Sequence, residues 1–235
     1  MNLALVLAGG AGARMNHSVP KQYLPLEGVP IVVRTLQAFQ ACQQIDAICL
    51  ACAASYQAHV ETLIDAYALT KVRYLAPAGD DRRLTSKYAL DAVAPDCAPD
   101  DIILIHDAVR PFVTERIITD NIRLARRYGA VYTVFPTQDT VVESVDGRTL
   151  DSVPPRHTLY LGQTPQSFRF EVIQKAHRVY EQAPAPPPVT DDCTLALSMG
   201  HPVHLVQGSK TNIKITTPED LEIAHFFARK FYFAK

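Results

Sequence analysis

The sequence predicts an α/β protein built on a Rossmann-like, doubly wound, mostly parallel sheet with a projecting β-hairpin arm, and three observations carry that prediction. Short apolar runs alternate with amphipathic helical stretches from the first residues onward. Three glycines, Gly9, Gly10 and Gly12, stand directly behind the first of those runs. One later stretch, Thr140 to Val153, breaks the alternation with two strand-like runs around Asp146-Gly147.

Leu3-Ala4-Leu5-Val6-Leu7 reads as a buried strand. The glycines after it let the backbone approach a ligand closely and present N–H groups to an anion. Arg14 and Lys21 add two cations beside those amides, a combination suited to a nucleotide triphosphate. Pro30 opens a helix through Phe39 whose apolar positions recur at three and four residues. Ala47 to Ala53 is a second strand, and its Cys49 and Cys52 read as buried strand residues rather than a redox pair. Ser55 reads as the N-cap of a helix through His59, Leu63 and Tyr67, and Val72 to Leu75 is a third strand. The polar turn Ala78 to Ser86 leads into a helix through Val93.

Ile102 to Ile105 is the next strand and delivers His106-Asp107-Ala108-Val109-Arg110 at its far end. A carboxylate there is placed for a metal ion, but Asp107 capping the turn and pairing with Arg110 is an equal reading. His106 reads as a hydrogen-bonded structural residue. Helix Thr114 to Tyr128 turns Arg116, Arg123, Arg126 and Arg127 to solvent, and strand Ala130 to Pro136 follows. The hairpin over 140–153 lacks a helix to cover it, and a second copy of the chain is the simplest surface for it to pack on. Gly162 to Phe168 re-enters the body, a helix runs from Glu171 to Gln182, and Ala183 to Pro188 is a stiff surface loop. Thr190-Asp191-Asp192 caps a helix through Met199. Val203 to Val206 and Asn212 to Thr216 are strands, and Thr217-Pro218 opens the last helix.

At 235 residues and 48% apolar content the chain is expected to form one domain over 1–235, with 137–160 as the arm. A net charge of -1 and a pI near 6.7 supply no basic surface for nucleic acid. Five cysteines without paired metal or disulfide spacing read as reduced thiols of a cytoplasmic protein. A strand at the N-terminus and no apolar run approaching ~18 residues point away from secretion and from a membrane.

The glycine-rich loop is not a P-loop, because no Gly-Lys-Ser or Gly-Lys-Thr follows it. As a dinucleotide fingerprint it carries Met15 where the third glycine belongs, and no acidic residue ends the second strand. A dinucleotide-dependent oxidoreductase is thereby disfavoured, and a non-catalytic nucleotide-binding regulator remains as a rival class. Leu7 to Met15 together with Pro20-Lys21-Gln22-Tyr23 resembles the signature of sugar-phosphate nucleotidylyltransferases. The separation of Arg14 from Lys21 is similar to that in the cytidylyltransferases of polyol phosphates. His106 to Pro111, Asp139-Thr140, Thr164-Pro165-Gln166 and Asn212 to Leu221 match further family blocks in the same order, so the likeness runs along essentially the whole chain.

That resemblance implies transfer of CMP from CTP to a polyol phosphate, with Mg²⁺ or another divalent cation, giving a CDP-polyol and pyrophosphate. It implies catalytic roles for Arg14 and Lys21, and nucleotide binding by Ala8, Gly9, Gly10, Ala11, Gly12, Gly79, Asp80 and Thr85. Asp107, Arg110, Thr140, Arg156, Thr190 and Lys214 would bind the second substrate, with Asp107 also near the metal. A homodimer through the arm is implied too, in which Thr140 and Arg156 serve the partner's site. Thr85 stands where the family usually has serine, and Ser86 next to it leaves either hydroxyl as the contact. Leu7-Ala8-Gly9-Gly10, in place of the Pro-Ala-Ala-Gly usual with methylerythritol phosphate, favours D-ribitol 5-phosphate, as does Tyr160 to Phe168. The alternative acceptor is 2-C-methyl-D-erythritol 4-phosphate.

Overall fold

A computed structural model of the chain describes residues 1–10, 19–185 and 189–232. Strand β1 (Asn2–Ala8) is followed by a two-residue ribbon, β2 (Pro25–Leu26) and β3 (Val29–Pro30), and then by α1 (Ile31–Ala41). Next come β4 (Ala47–Cys52), α2 (Gln57–Ala66), β5 (Val72–Pro77), α3 (Arg82–Val93) and β6 (Ile102–Asp107). The second half runs α4 (Glu115–Tyr128), β7 (Ala130–Pro136), β8 (Tyr160–Arg169), α5 (Phe170–Gln182), α6 (Asp192–Ser198), β9 (His204–Gln207) and α7 (Pro218–Phe227).

Seven of the strands form one sheet in the order β5-β4-β1-β6-β8-β7-β9. Its pairs are parallel except where β8 runs antiparallel between β6 and β7. The period of two along β1 shows why the sheet is covered on both faces: Ala4, Val6 and Ala8 join one core with side chains of α1, α2 and α4. Leu3, Leu5 and Leu7 join the other core, against α3, α5 and α6. Each of these strand leucines and valines contributes roughly 1.5–3 kcal/mol by leaving water. From β1 the chain moves outward through β4 and β5, then returns to the opposite side of β1 as β6. Strand order reverses there, and the crevice beyond the carboxyl ends of β1 and β6 is where such sheets bind ligands.

Helix starts follow the capping chemistry of the sequence. Thr114, Asp191 and Thr217 each accept a backbone N–H in the first turn of α4, α6 and α7, and Thr217 forms a full capping box with Asp220. Ser55 departs from expectation: it lies inside a 3-10 turn over Ala54–Tyr56, and α2 begins at Gln57 with no side-chain cap. Cys49 and Cys52 are buried in β4 as expected, and burial pushes the Cys49 thiol up to about 12. Among the described residues no helix is long and apolar enough to cross a membrane.

Two predicted strand regions form no ladder. Over 140–153 the chain makes a single bridge between Glu143 and Ser152. Its Asp146-Gly147 turn is present, with Gly147 at φ +68° and the Asp146 carboxylate accepting the N–H groups of Arg148 and Thr149. Nearly every residue from Gln138 to His157 is exposed, so no packing face drives a regular ladder. Asn212 to Thr216 is also irregular. Its backbone is tied elsewhere, through Ile215 N–H to the Val109 carbonyl and through the Arg110 guanidinium to the Asn212 carbonyl.

Candidate active site

A cleft of about 490 Å³ opens at the carboxyl ends of β1 and β6 and beside the β5–α3 loop. It has two dissimilar walls, one of backbone and one of charge.

The backbone wall forms where two glycines meet. A Cβ on Gly9 would stand 2.5 Å from Ala78 Cβ and 3.2 Å from Thr85 Oγ1, and one on Gly79 would fall onto Leu84 and lie 2.9 Å from the Thr85 nitrogen. Only glycine at both positions lets the β1 and β5 loops touch. Thr85 Oγ1 accepts the Gly79 N–H at 3.0 Å and donates to the Asp81 carbonyl at 2.8 Å, and Thr85 lines the cleft. Ser86 bonds Asp192 at 2.6 Å, so of the two neighbouring residues Thr85 is the one at the cleft. Asp81 caps α3 by accepting the Leu84 N–H at 2.6 Å.

Gln22 ties this wall to Lys21. Its Nε2 donates to the Ala8 carbonyl at 2.7 Å and to the Gly10 carbonyl at 3.0 Å, using both amide hydrogens at the end of β1. Lys21 begins the same 3-10 turn and lines the cleft, while Tyr23 stacks on Tyr56 with ring centroids 4.5 Å apart. Ala8, Gly9, Gly10, Gly79 and Asp80 also line the cleft. Ala11, Gly12 and Arg14 lie outside the described residues.

The charged wall is centred on Asp107, the last residue of β6 and 7% exposed. Lys214 Nζ stands 3.0 Å and Arg110 Nε 3.3 Å from its Oδ2, and Arg82 Nε stands 3.5 Å from its Oδ1. Burial alone would raise the carboxyl's pKa, but the charges of Arg82, Lys214 and Arg110 outweigh it and hold Asp107 well below the usual carboxylate range. Asp107 pairs with Arg110, as one of the two readings expects, and it lines the cleft. No group of three or more metal-ligating side chains exists among the described residues.

His106 is structural. Fully buried, it donates Nε2–H to the Arg110 carbonyl at 3.1 Å and accepts the Thr164 hydroxyl at Nδ1, 3.0 Å away. Burial lowers its pKa to about 4, so the ring is neutral, as those two bonds require. Thr164 in turn accepts the Asp107 N–H at 3.1 Å and so fixes where β6 ends.

Arg110 stands behind the lining, with its guanidinium on Asp107 and on the Asn212 and Gly162 carbonyls, and Thr140, Arg156 and Thr190 stand apart from the cleft. Arg156 donates to the Gln138 carbonyl at 3.0 Å within the exposed arm, and Thr190 is an exposed residue preceding the cap of α6. Arg82 and Asp192 were not anticipated. Arg82 lines the cleft and donates from Nη1 to Asp192 Oδ2 at 2.5 Å. A signal existed, because an arginine as the first residue of a helix opposes the helix dipole and requires carboxylate partners.

A glycine-built backbone wall facing a carboxylate surrounded by three cations suits two phosphorylated ligands held close together, which is the task of a nucleotidyltransferase. The sequence model of the family "IspD: 2-C-methyl-D-erythritol 4-phosphate cytidylyltransferase" matches residues 2–230, and the chain belongs to this family of CTP-utilising cytidylyltransferases. Solved structures agree. The chain is 28% identical to 4-diphosphocytidyl-2C-methyl-D-erythritol synthase from Anaerococcus prevotii, with a TM-score of 0.83 over 97% of this chain and 96% of that one. It is 27% identical to the 2-C-methyl-D-erythritol 4-phosphate cytidylyltransferase of Francisella tularensis, with a TM-score of 0.80 over 96% of this chain and 98% of that one. The enzyme of the same name from Thermus thermophilus is 26% identical, with a TM-score of 0.75 and the same coverage, 96% and 98%. With the family assigned, the oxidoreductase and regulator readings fall away.

Proposed function

We propose that the protein transfers CMP from CTP to 2-C-methyl-D-erythritol 4-phosphate, releasing pyrophosphate and 4-diphosphocytidyl-2C-methyl-D-erythritol. The observation that carries this reading is the family match over residues 2–230, which favours methylerythritol phosphate above the ribitol phosphate expected from the sequence. The Leu7-Ala8-Gly9-Gly10 half of the ribitol expectation is a poor guide to the acceptor. Ala8 is buried, and the side-chain position of Gly9 faces Ala78 and Thr85. These residues meet the β5–α3 loop on the backbone wall, away from the Arg110–Lys214 wall where the acceptor phosphate belongs.

The chemistry follows from charge. A phosphate monoester has a second pKa near ~6, so the acceptor is already largely a dianion at neutral pH and needs no general base. What it needs is relief of repulsion from the triphosphate, and alignment with the α-phosphorus. In this reading Gly9, Gly10, Gly79 and Asp80, with Ala11 and Gly12, hold the nucleotide, and Thr85 rigidifies its seat. Lys21 and Arg14 stabilise the charge that develops as pyrophosphate leaves. Lys214, with Arg110 behind it, receives the acceptor phosphate, and Thr190 is a further candidate contact by resemblance alone.

A divalent cation fits on one condition. Mg²⁺ commonly takes one or two carboxylates and completes its shell with phosphate oxygens and water. Asp107 supplies one carboxylate, but three cations surround it and oppose a bare metal ion. The metal would therefore enter already chelated by the triphosphate, whose charge it neutralises.

The arm supports a homodimer. Val142, Val145 and Leu150 expose 57%, 94% and 63% of their surface on a ribbon that makes only one bridge of its own. An apolar ribbon of that kind gains stability by lying against a second copy, which would carry Thr140 and Arg156 to the neighbouring cleft. Mixing Lys21→Ala chains with Arg156→Ala chains is expected to restore activity in the heterodimer, where one cleft is intact. Verified heterodimers as inactive as either parent would count against a shared site.

Pyrophosphate release measured side by side with the two acceptors tests the substrate. Methylerythritol phosphate is expected to have a kcat/KM at least tenfold above that of ribitol 5-phosphate. The reverse ranking would return the protein to the ribitol reading.

A further inference from the structure

Arg82 links the two walls of the cleft. It is the first residue of α3, directly after the Gly79-Asp80-Asp81 turn of the backbone wall, and its Nε reaches Asp107 on the charged wall. The two carboxylates it meets hold it very unequally. The contact with Asp192 is 2.5 Å long and the contact with Asp107 is 3.5 Å, so the guanidinium is anchored from behind rather than by the cleft.

Asp192 is itself fixed on every side. It is 1% exposed, accepts Ser86 Oγ at 2.6 Å on its other oxygen, and donates its backbone N–H to Gln166 Oε1 on β8 at 3.0 Å. His177 of α5, also fully buried, stands 3.6 Å from the same oxygen as Ser86, and neither of its ring nitrogens has a hydrogen-bond partner among the described residues. Asp191, the neighbouring cap of α6, accepts the Tyr132 hydroxyl at 2.7 Å, so the start of α6 is pinned to β7 as well as β8. The carboxylate lies behind the cleft and is absent from its lining.

We propose that Asp192 is a positioning residue that holds Arg82 between the two walls and thereby sets the affinity of the cleft for the nucleotide. The inference deepens the proposed nucleotide site without depending on which polyol is the acceptor. Two carboxylates compete for one guanidinium. With Asp192 in place, Arg82 meets Asp107 only through the long 3.5 Å contact to Oδ1, and Oδ2 is left to Lys214 and Arg110. Without it, Arg82 collapses onto the Asp107 carboxylate, displaces Lys214, and leaves the turn after Gly79 without its cation.

Charge counting and positioning predict opposite signs, which makes the proposal testable. Asp192→Asn removes a negative charge close to an anion site, so electrostatics alone predicts tighter binding of CTP. Loss of positioning predicts weaker binding. Titration calorimetry of the full-length protein with Mg²⁺ and CTP, with no acceptor present, is expected to show at least a tenfold weakening. Unchanged or tighter binding by a folded Asp192→Asn protein would overturn the proposal. A buried guanidinium left without its carboxylate can prevent folding, and the neutral pair Arg82→Gln with Asp192→Asn covers that case. This double variant is expected to bind CTP within threefold of Arg82→Gln alone, because Asp192 acts only through Arg82. A further tenfold loss in the folded double variant would show that Asp192 acts by another route. Failure of the methylerythritol assay would leave these binding results standing, so the two readings fail separately.

Discussion

Lys21→Ala should lower kcat by at least ~100-fold, the scale for removing one preorganised donor from a site where charge develops. The loss should fall on turnover because the neighbouring anchors survive. Gln22 still bonds the Ala8 and Gly10 carbonyls, and Tyr23 still stacks on Tyr56, so the turn that carries residue 21 keeps its place. The substitution removes the Lys21 side chain beyond Cβ, and with it the ammonium, from the cleft lining. Binding of CTP, which also draws on the glycine-built wall, should weaken much less. Steady-state assays at saturating CTP, with circular dichroism to confirm the fold, decide the matter. Turnover within a few-fold of wild type in a folded variant would remove Lys21 from the chemistry.

Asp107→Ala is the second large effect, and it should be visible in stability as well as activity. The substitution leaves Arg82, Arg110 and Lys214 crowded around an empty volume, with Asp192 still holding only the first of them. Removing one partner of a buried ion pair typically costs about 3–5 kcal/mol. The edge of this cluster is open to the cleft, and Lys214 is more than a third exposed, so a value of about 2–3 kcal/mol is the better expectation. In a chain of this length that is a fall in Tm of about 4–12 °C. The pH dependence has a definite sign. Neighbouring cations lower the folded-state pKa of Asp107, so its contribution is fully present above the unfolded value of about 3.9 and is lost as pH falls through the lower folded value. The gap in Tm between wild type and variant should therefore be complete at pH 6 and narrow below about pH 4. Turnover should drop by at least ~100-fold, since the groups that receive the acceptor phosphate lose their common anchor. An unchanged Tm together with kcat/KM within threefold would refute this account of the cluster.

The two variants probe halves of the cleft that differ in how far the sequence revealed them. Lys21 belongs to a local pattern: a strand, glycines and two cations within some twenty residues. Two partners of Asp107 come from far along the chain, Arg82 at the start of α3 and Lys214 in the segment before α7, while Arg110 lies in the turn directly after β6. Local spacing carries no trace of such a meeting. The Asp107–Arg110 pair is the exception, being three residues apart and legible from spacing, whereas Lys214 is implied only by blocks of sequence that resemble a family, and Arg82 reads from sequence as part of a polar turn. The choice between Thr85 and Ser86 was equally out of reach, because adjacent hydroxyls at the start of a helix differ only in the direction each faces.

By itself the sequence determined the alternation of strands and helices, both faces of the sheet, most of the helix caps and the glycine-built end of β1. These follow from hydrophobic periodicity and backbone chemistry, which act between near neighbours in the chain. Tertiary structure alone decided that the arm stands as a single-bridged ribbon and that Asn212 to Thr216 lies irregularly against Val109 and Arg110. It also decided that Arg82 is shared between Asp107 and Asp192. A segment's backbone bonds and an ion's partners depend on which distant groups the folded sheet brings within about 3 Å, and only the assembled chain sets that distance.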